Sequence, residues 1–219
     1  MKQLILIIIV LFYLAVIGLH LYADWTRKRI LRSIFKILLM PTLCVLYLLL
    51  SDHRNPWVLS ALFLCTLGDA FLVFPERNAL FFVGSSCFGA AHILYCIGMA
   101  SDGLLIRRLP FGLLFFIAWI VLVLYVLLPN VPKNMRFPLL AYAALLGATA
   151  AISLIRLLAE GTPYRLLSFI GGLLFLFSDS LLLLEKYRKT TRIGGLVVMA
   201  TYILAQTGLV LGFALQGGI

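Results

Sequence analysis

Long apolar runs separated by short clusters of charge set the organisation of this chain. Five charge-free stretches, 3–23, 78–101, 109–132, 137–155 and 193–219, each hold the roughly 20 residues a helix needs to cross a bilayer. A shorter one, 37–51, reaches that length if Lys36 sits at the interface with its ammonium extended toward water. The remaining apolar material, 55–75 and 166–184, spans only if each helix runs straight through an aspartate, Asp69 in the first and Asp179 in the second. The pattern predicts an all-α polytopic membrane protein of eight helices, near 3–22, 34–50, 57–74, 79–100, 110–128, 137–158, 165–184 and 193–215. The whole chain, 1–219, reads as a single transmembrane domain.

Composition agrees with that reading and narrows the function classes. With 63% hydrophobic and 12% charged residues and a mean hydropathy of +1.12, the chain lies far from soluble globular domains. The first run follows Lys2 as the core of a signal peptide would, but it is about twenty residues long and no small-x-small cleavage site follows, so a retained helix is expected. Cys44, Cys65, Cys87 and Cys96 all fall inside predicted spans, lack metal-ligand spacing and read as small packing residues without disulfides. No metal and no organic cofactor is expected.

The net charge of +10 is dispersed over short loops rather than gathered on a soluble basic domain, which argues against nucleic-acid binding. It carries orientation instead. The odd-numbered loops hold eleven basic residues (Arg27, Lys28, Arg29, Arg32, Arg77, Lys133, Arg136, Lys186, Arg188, Lys189 and Arg192). The N-terminus and even-numbered loops hold six: Lys2, Arg54, Arg107, Arg108, Arg156 and Arg165. The positive-inside rule places the odd loops in the cytoplasm and both termini outside. Short loops and tails fit a bacterial inner-membrane protein.

An internal repeat is suggested at an offset of 110 residues. LCTLGDAFLVF (64–74) lies over LFLFSDSLLLL (174–184), and FGAAHILYCIGM (88–99) over VMATYILAQTGL (198–209). The even helix separation implies parallel four-helix halves, 1–105 and 106–219, and pairs Asp69 with Asp179.

A carboxylate at a helix centre in the bilayer costs about 2.5 to 3.5 kcal/mol even on insertion scales, so it faces a partner or a wet cavity. The bland reading is a structural contact, such as an ion pair with Lys36. Equal depth argues for more: Asp69 precedes Pro75 by six residues and Asp179 precedes Glu185 by six, which puts each roughly 9 Å below the cytoplasmic face. Lys36, Tyr142 and Ser178 fall in the same half of the membrane, with His92, Tyr202 and Gln206 deeper. Tyr202 and Gln206, four apart, share a helix face, and so nearly do His92 and Tyr95 at three apart. His20, His53, Asp24, Asp52, Asp102 and Glu160 receive no chemistry, and no phosphate loop, His-Glu-x-x-His or nucleophile elbow is present.

These residues in this order resemble the YhhN family of lysoplasmalogenase-like membrane proteins over nearly the whole chain. The resemblance is carried by Lys36, Met40 and Pro41, by Gly68-Asp69, and by Gly84, Phe88, His92 and Tyr95. It continues through Tyr142, then Gly171, Phe175, Ser178-Asp179 and Lys186, and ends on Tyr202, Ala205 and Gln206. Ile37, where the family is expected to place proline, and Leu183 depart from it.

The resemblance implies hydrolysis of the vinyl ether bond of lysoplasmalogens to a fatty aldehyde and a glycerophospho-alcohol. Such ethers are cleaved by proton transfer to the β-carbon and capture of the oxocarbenium ion by water, which needs an acid and a stabilising anion. Asp69 and Asp179 would be that pair, their pKa values split by proximity and desolvation, with the ionised one also activating water. Lys36 would meet the lipid phosphate, while His92, Tyr202 and Gln206 orient water or the carboxyls. Intramembrane aspartates also build ion pathways, so a proton-coupled transporter, a different aspartate hydrolase and a non-catalytic lipid-binding protein are the rival readings.

Overall fold

In the computed structural model of the chain, the apolar runs fold as eight α-helices: α1 Lys2–Trp25, α2 Arg29–Leu50, α3 Pro56–Phe71, α4 Asn78–Ala100, α5 Leu109–Leu122, α6 Arg136–Glu160, α7 Pro163–Tyr187 and α8 Arg192–Ala214. The structure describes all residues except 75, 102, 104, 105, 188–191, 218 and 219. Pro75, which set the expected depth of Asp69, lies outside the described residues, as do Asp102 and the loop cations Arg188 and Lys189. Seven helical segments are long and apolar enough to cross a membrane, and no strand occurs among the described residues. This is an integral membrane architecture.

Two elements differ from the pattern-based expectation. Asn55 starts α3 by accepting the Trp57 N–H at 2.9 Å, with Pro56 at the first helical position. The helix then ends at Phe71, three residues short of 74. Beyond it the backbone tightens into i→i+3 bonds, Val73 N–H to the Ala70 carbonyl and Phe74 N–H to the Phe71 carbonyl. At 16 residues α3 is the shorter apolar helix, and Asp69 occupies its last turn.

The helix predicted over 110–128 is regular only to Leu122. A π-helical turn follows at Val123–Leu127 and a 3-10 turn at Leu128–Asn130. Pro129 accounts for this, because it lacks an N–H and its ring crowds the carbonyl four residues back. Further on, Gly161 closes α6 in the left-handed conformation at φ 65°, its N–H returning to the Leu157 carbonyl at 2.8 Å.

The helices sort into two compact units, residues 1–94 with 213–219, and residues 95–212. In the first, α1 packs on α2 and α2 on α3. The α1 sequence is apolar all round, and only the stripe Tyr13, Val16, His20 and Ala23 is buried. These positions recur at three- and four-residue spacing, which defines one face. Leu4, Ile7, Leu11 and Leu14 stay exposed on the rest of the helix, as lipid contact requires. Where α3 meets α4, a Cβ on Gly68 would stand 2.7 Å from the Phe88 ring, and one on Gly84 would stand 2.9 Å from Leu72. Small residues thus let these two helices approach closely.

In the second unit, α6 packs on both α5 and α7. Trp119 lies against Gly147 and donates its indole N–H to the Ala143 carbonyl at 2.8 Å. The α7–α8 contact rests on small residues as well. A Cβ on Gly171 would sit 2.6 Å from the Leu209 amide nitrogen, and one on Gly212 would collide with the Ser168 hydroxyl. The π-helical turn contributes Val123 and Leu127 to an apolar cluster with Val131, Ala143 and Leu183, flanked by Trp119, Leu184 and Tyr187.

Candidate functional site

Asp69 is almost completely buried, its side chain 1% exposed, and the Lys36 ammonium lies 3.7 Å from its Oδ1. Helical spacing produces this pairing. Lys36 precedes the buried α2 positions Leu39, Met40 and Leu43 by three, four and seven residues, so it continues their face toward α3. Gly68 and Cys65 are buried beside Asp69 in α3. His92, on α4 in the same unit, is buried too.

The second aspartate has a different neighbour. Tyr142 of α6 donates its hydroxyl to Asp179 Oδ2 of α7. Asp179 is half-buried, and the apolar cluster around the π-helical turn is continuous with this place through Ala143, next to Tyr142, and Leu183, one turn beyond Asp179. Also within the second unit, the Tyr95 hydroxyl donates to Gln206 Oε1 at 2.9 Å, both residues being fully buried. Tyr202 stands edge-on to Phe175, ring centroids 5.7 Å apart at 80°. The Ser178 hydroxyl is turned from its neighbour Asp179 and donates to the Val198 carbonyl of α8 at 2.9 Å, which makes it a tether between α7 and α8.

The structure therefore joins Lys36 to Asp69, Tyr142 to Asp179 and Tyr95 to Gln206. Several residues without assigned chemistry turn out to be buried or ion-paired. Asp24 belongs to α1 rather than to a loop and pairs with Arg32 at 3.3 Å, its side chain 14% exposed. Arg156 and Arg165, counted above as loop charges, are buried within α6 and α7. Glu160, the last residue of α6, receives Arg165 in a two-pronged contact, Nε to Oε2 at 2.8 Å and Nη2 to Oε1 at 2.9 Å. Arg156 reaches the same carboxylate at 3.4 Å and the Met99 carbonyl.

His20 is the residue that sequence reasoning passed over. It is fully buried, with Nδ1 3.1 Å from the Arg32 carbonyl oxygen. The signal was present as the Tyr13, Val16, His20, Ala23 spacing, which sets the histidine on the one packed face of a lipid-facing helix. Outside the spans, Glu76 pairs with Arg29. A hydrogen bond from its own backbone, then the Arg29 charge, holds the Glu76 carboxyl below the usual carboxylate range.

Comparison with known proteins supplies the remaining finding. A mouse (Mus musculus) protein named lysoplasmalogenase TMEM86B is 30% identical over 184 residues, covering 82% of this chain and 74% of that protein. The rat (Rattus norvegicus) protein of the same name is 31% identical over 184 residues, covering 82% and 72%. The pig (Sus scrofa) protein is 36% identical over 147 residues, covering 67% and 58%. No solved structure matches significantly. The YhhN family model matches residues 31–213, a segment holding both aspartates and every polar residue on which the resemblance was drawn, and the chain belongs to the YhhN family.

Proposed function

We propose that this protein is a membrane-embedded hydrolase that cleaves the vinyl ether bond of lysoplasmalogens to a fatty aldehyde and glycerophosphoethanolamine or glycerophosphocholine. The observation that carries the reading is the alignment of relatives named lysoplasmalogenase along 82% of the chain. The chemistry of the buried residues supports it. Asp69, facing the Lys36 ammonium at 3.7 Å, is assigned to stabilise the oxocarbenium ion. That leaves Asp179 as the acid that protonates the β-carbon, with the Tyr142 hydroxyl orienting its carboxyl. Lys36 also meets the lipid phosphate as the head group arrives. His92, Tyr202 and Gln206 are assigned to orient water or the carboxyls, Gln206 being hydrogen-bonded to Tyr95 and Tyr202 packed on Phe175, and Ser178 fixes α7 against α8. Protonation and hydration of a vinyl ether need no metal and no organic cofactor. The odd-numbered loops are assigned to the cytoplasm of a bacterial inner membrane, with the lysolipid drawn from the inner leaflet.

The test is to incubate purified protein with a lysoplasmalogen and, separately, with the saturated alkyl-ether lysolipid, and to measure free aldehyde. Aldehyde is expected from the vinyl ether alone, with loss in Asp69→Asn and in Asp179→Asn. Full activity in either variant overturns the aspartate mechanism, and no aldehyde from the unaltered protein overturns the substrate. Solute counterflow in liposomes without turnover would favour a transporter instead.

A further inference from the structure

His20 lies outside the family-matched segment, and the mechanism above does not use it. Its surroundings are unusual for a packing residue. The ring is completely buried on the single packed stripe of α1, and Nδ1 stands 3.1 Å from the Arg32 carbonyl oxygen. A carbonyl only accepts, so the proton of this contact is on Nδ1. In the neutral ring the lone pair is therefore on Nε2, and Nε2 has no hydrogen-bond partner among the described residues. The Arg32 carbonyl is the one that α-helical geometry offers to the backbone N–H of Lys36, four residues on. The imidazole is thus docked on the turn that carries Lys36, whose ammonium faces Asp69 at 3.7 Å. The charged groups acting on the ring are Lys36, Asp24 and Arg32. A histidine held by Nδ1–H on a fixed acceptor, with Nε2 buried and unpartnered, has the arrangement of a general base.

We propose that His20 is a catalytic proton acceptor of the Lys36–Asp69 site, its Nε2 taking a proton from the water that adds to the oxocarbenium ion. The assignment rests on the vinyl ether reading and completes its proton cycle. The acid first gives its proton to the β-carbon, and the ether becomes an oxocarbenium ion. Water then forms a C–O bond to the cationic carbon while one of its O–H bonds breaks toward Nε2, giving a hemiacetal and an imidazolium. In the collapse, the carbon–glycerol oxygen bond breaks, the imidazolium proton goes to the glycerol oxygen, and the hemiacetal hydroxyl proton returns to the acid. The products are aldehyde and alcohol, and both the acid and His20 are restored.

His20→Asn keeps an N–H for the Arg32 carbonyl and removes the base, while His20→Gln places a non-basic amide near Nε2. In both, kcat for aldehyde release is expected to fall about a hundredfold, with KM for the lysoplasmalogen changed less than about twofold. An unchanged kcat in a folded variant overturns the role of His20 and leaves the hydrolase reading standing. Absence of aldehyde from the wild-type protein overturns the hydrolase reading and this role with it. Nitrogen-15 NMR of histidine-labelled wild-type protein gives an outcome independent of variant folding. The Nδ1–H tautomer at His20 is expected, and the Nε2–H tautomer overturns the proposal.

Discussion

The Lys36 ammonium and the Asp69 carboxylate face each other at 3.7 Å between α2 and α3, with side chains 15% and 1% exposed. Such a pair is stable only as a pair. Removing one partner leaves a buried charge uncompensated, whereas replacing both with apolar side chains of similar volume removes the desolvation cost together with the attraction.

Lys36→Met is therefore expected to destabilise the protein by about 3 to 5 kcal/mol, and Asp69→Leu by a similar amount. The double variant Lys36→Met/Asp69→Leu should be more stable than either single one while producing no aldehyde. Denaturation midpoints in detergent beside an activity assay read both effects, and a double variant that is the least stable of the three would refute the coupling.

The Tyr142–Asp179 contact separates chemistry from packing. Tyr142→Phe keeps the ring and deletes the hydroxyl. A hydrogen bond to a carboxyl group is worth about 1.5 to 3 kcal/mol, so kcat/KM should fall at least about tenfold. Retention of wild-type kcat/KM in this variant would show that the hydroxyl plays no part in the reaction.

Arg165→Lys should lower the thermal midpoint through loss of the two-pronged contact with Glu160, because an ammonium is a point donor and cannot match both carboxylate oxygens. A cost of about 1 to 2 kcal/mol is expected, larger for Arg165→Met, with aldehyde formation per folded molecule unchanged.

Two glycines should respond oppositely to the same substitution. Gly171→Ala drives a methyl group to 2.6 Å from the Leu209 nitrogen and 2.8 Å from the Ala205 oxygen, both backbone atoms, and should cost about 1 to 3 kcal/mol as α7 and α8 separate. Gly18→Ala meets no atom within 4 Å and should gain up to about 1 kcal/mol of helix propensity. Equal effects at the two positions would mean that α7–α8 contact is not the limiting feature.

Hydrophobic runs made the helices legible because an unbroken apolar stretch of spanning length has no other stable backbone in lipid. Asp69 and Asp179 were legible for the same reason, as costly exceptions within such runs. The end of α3 was not, since Leu72, Val73 and Phe74 remain apolar after the helix has stopped and hydropathy does not register a change in backbone pairing. The π-helical turn in α5 was hidden likewise by uniform apolarity, although Pro129 marked its neighbourhood. His20 was obscured by its helix, which is apolar on every side and so gives no contrast between lipid-facing and packed positions. The partner of Asp69 was foreseen as an ion pair, whereas the partner of Glu160 depended on a chain reversal at Gly161 that brings α7 back alongside α6.

The brevity of α3 reaches beyond its own packing. Its 16 residues measure about 24 Å along the axis, against a hydrocarbon thickness of about 30 Å. A short span is met by local thinning of the bilayer, by flanking side chains extended toward water or by association with neighbours, and thinning would bring the interface nearer the final turn, where Asp69 resides.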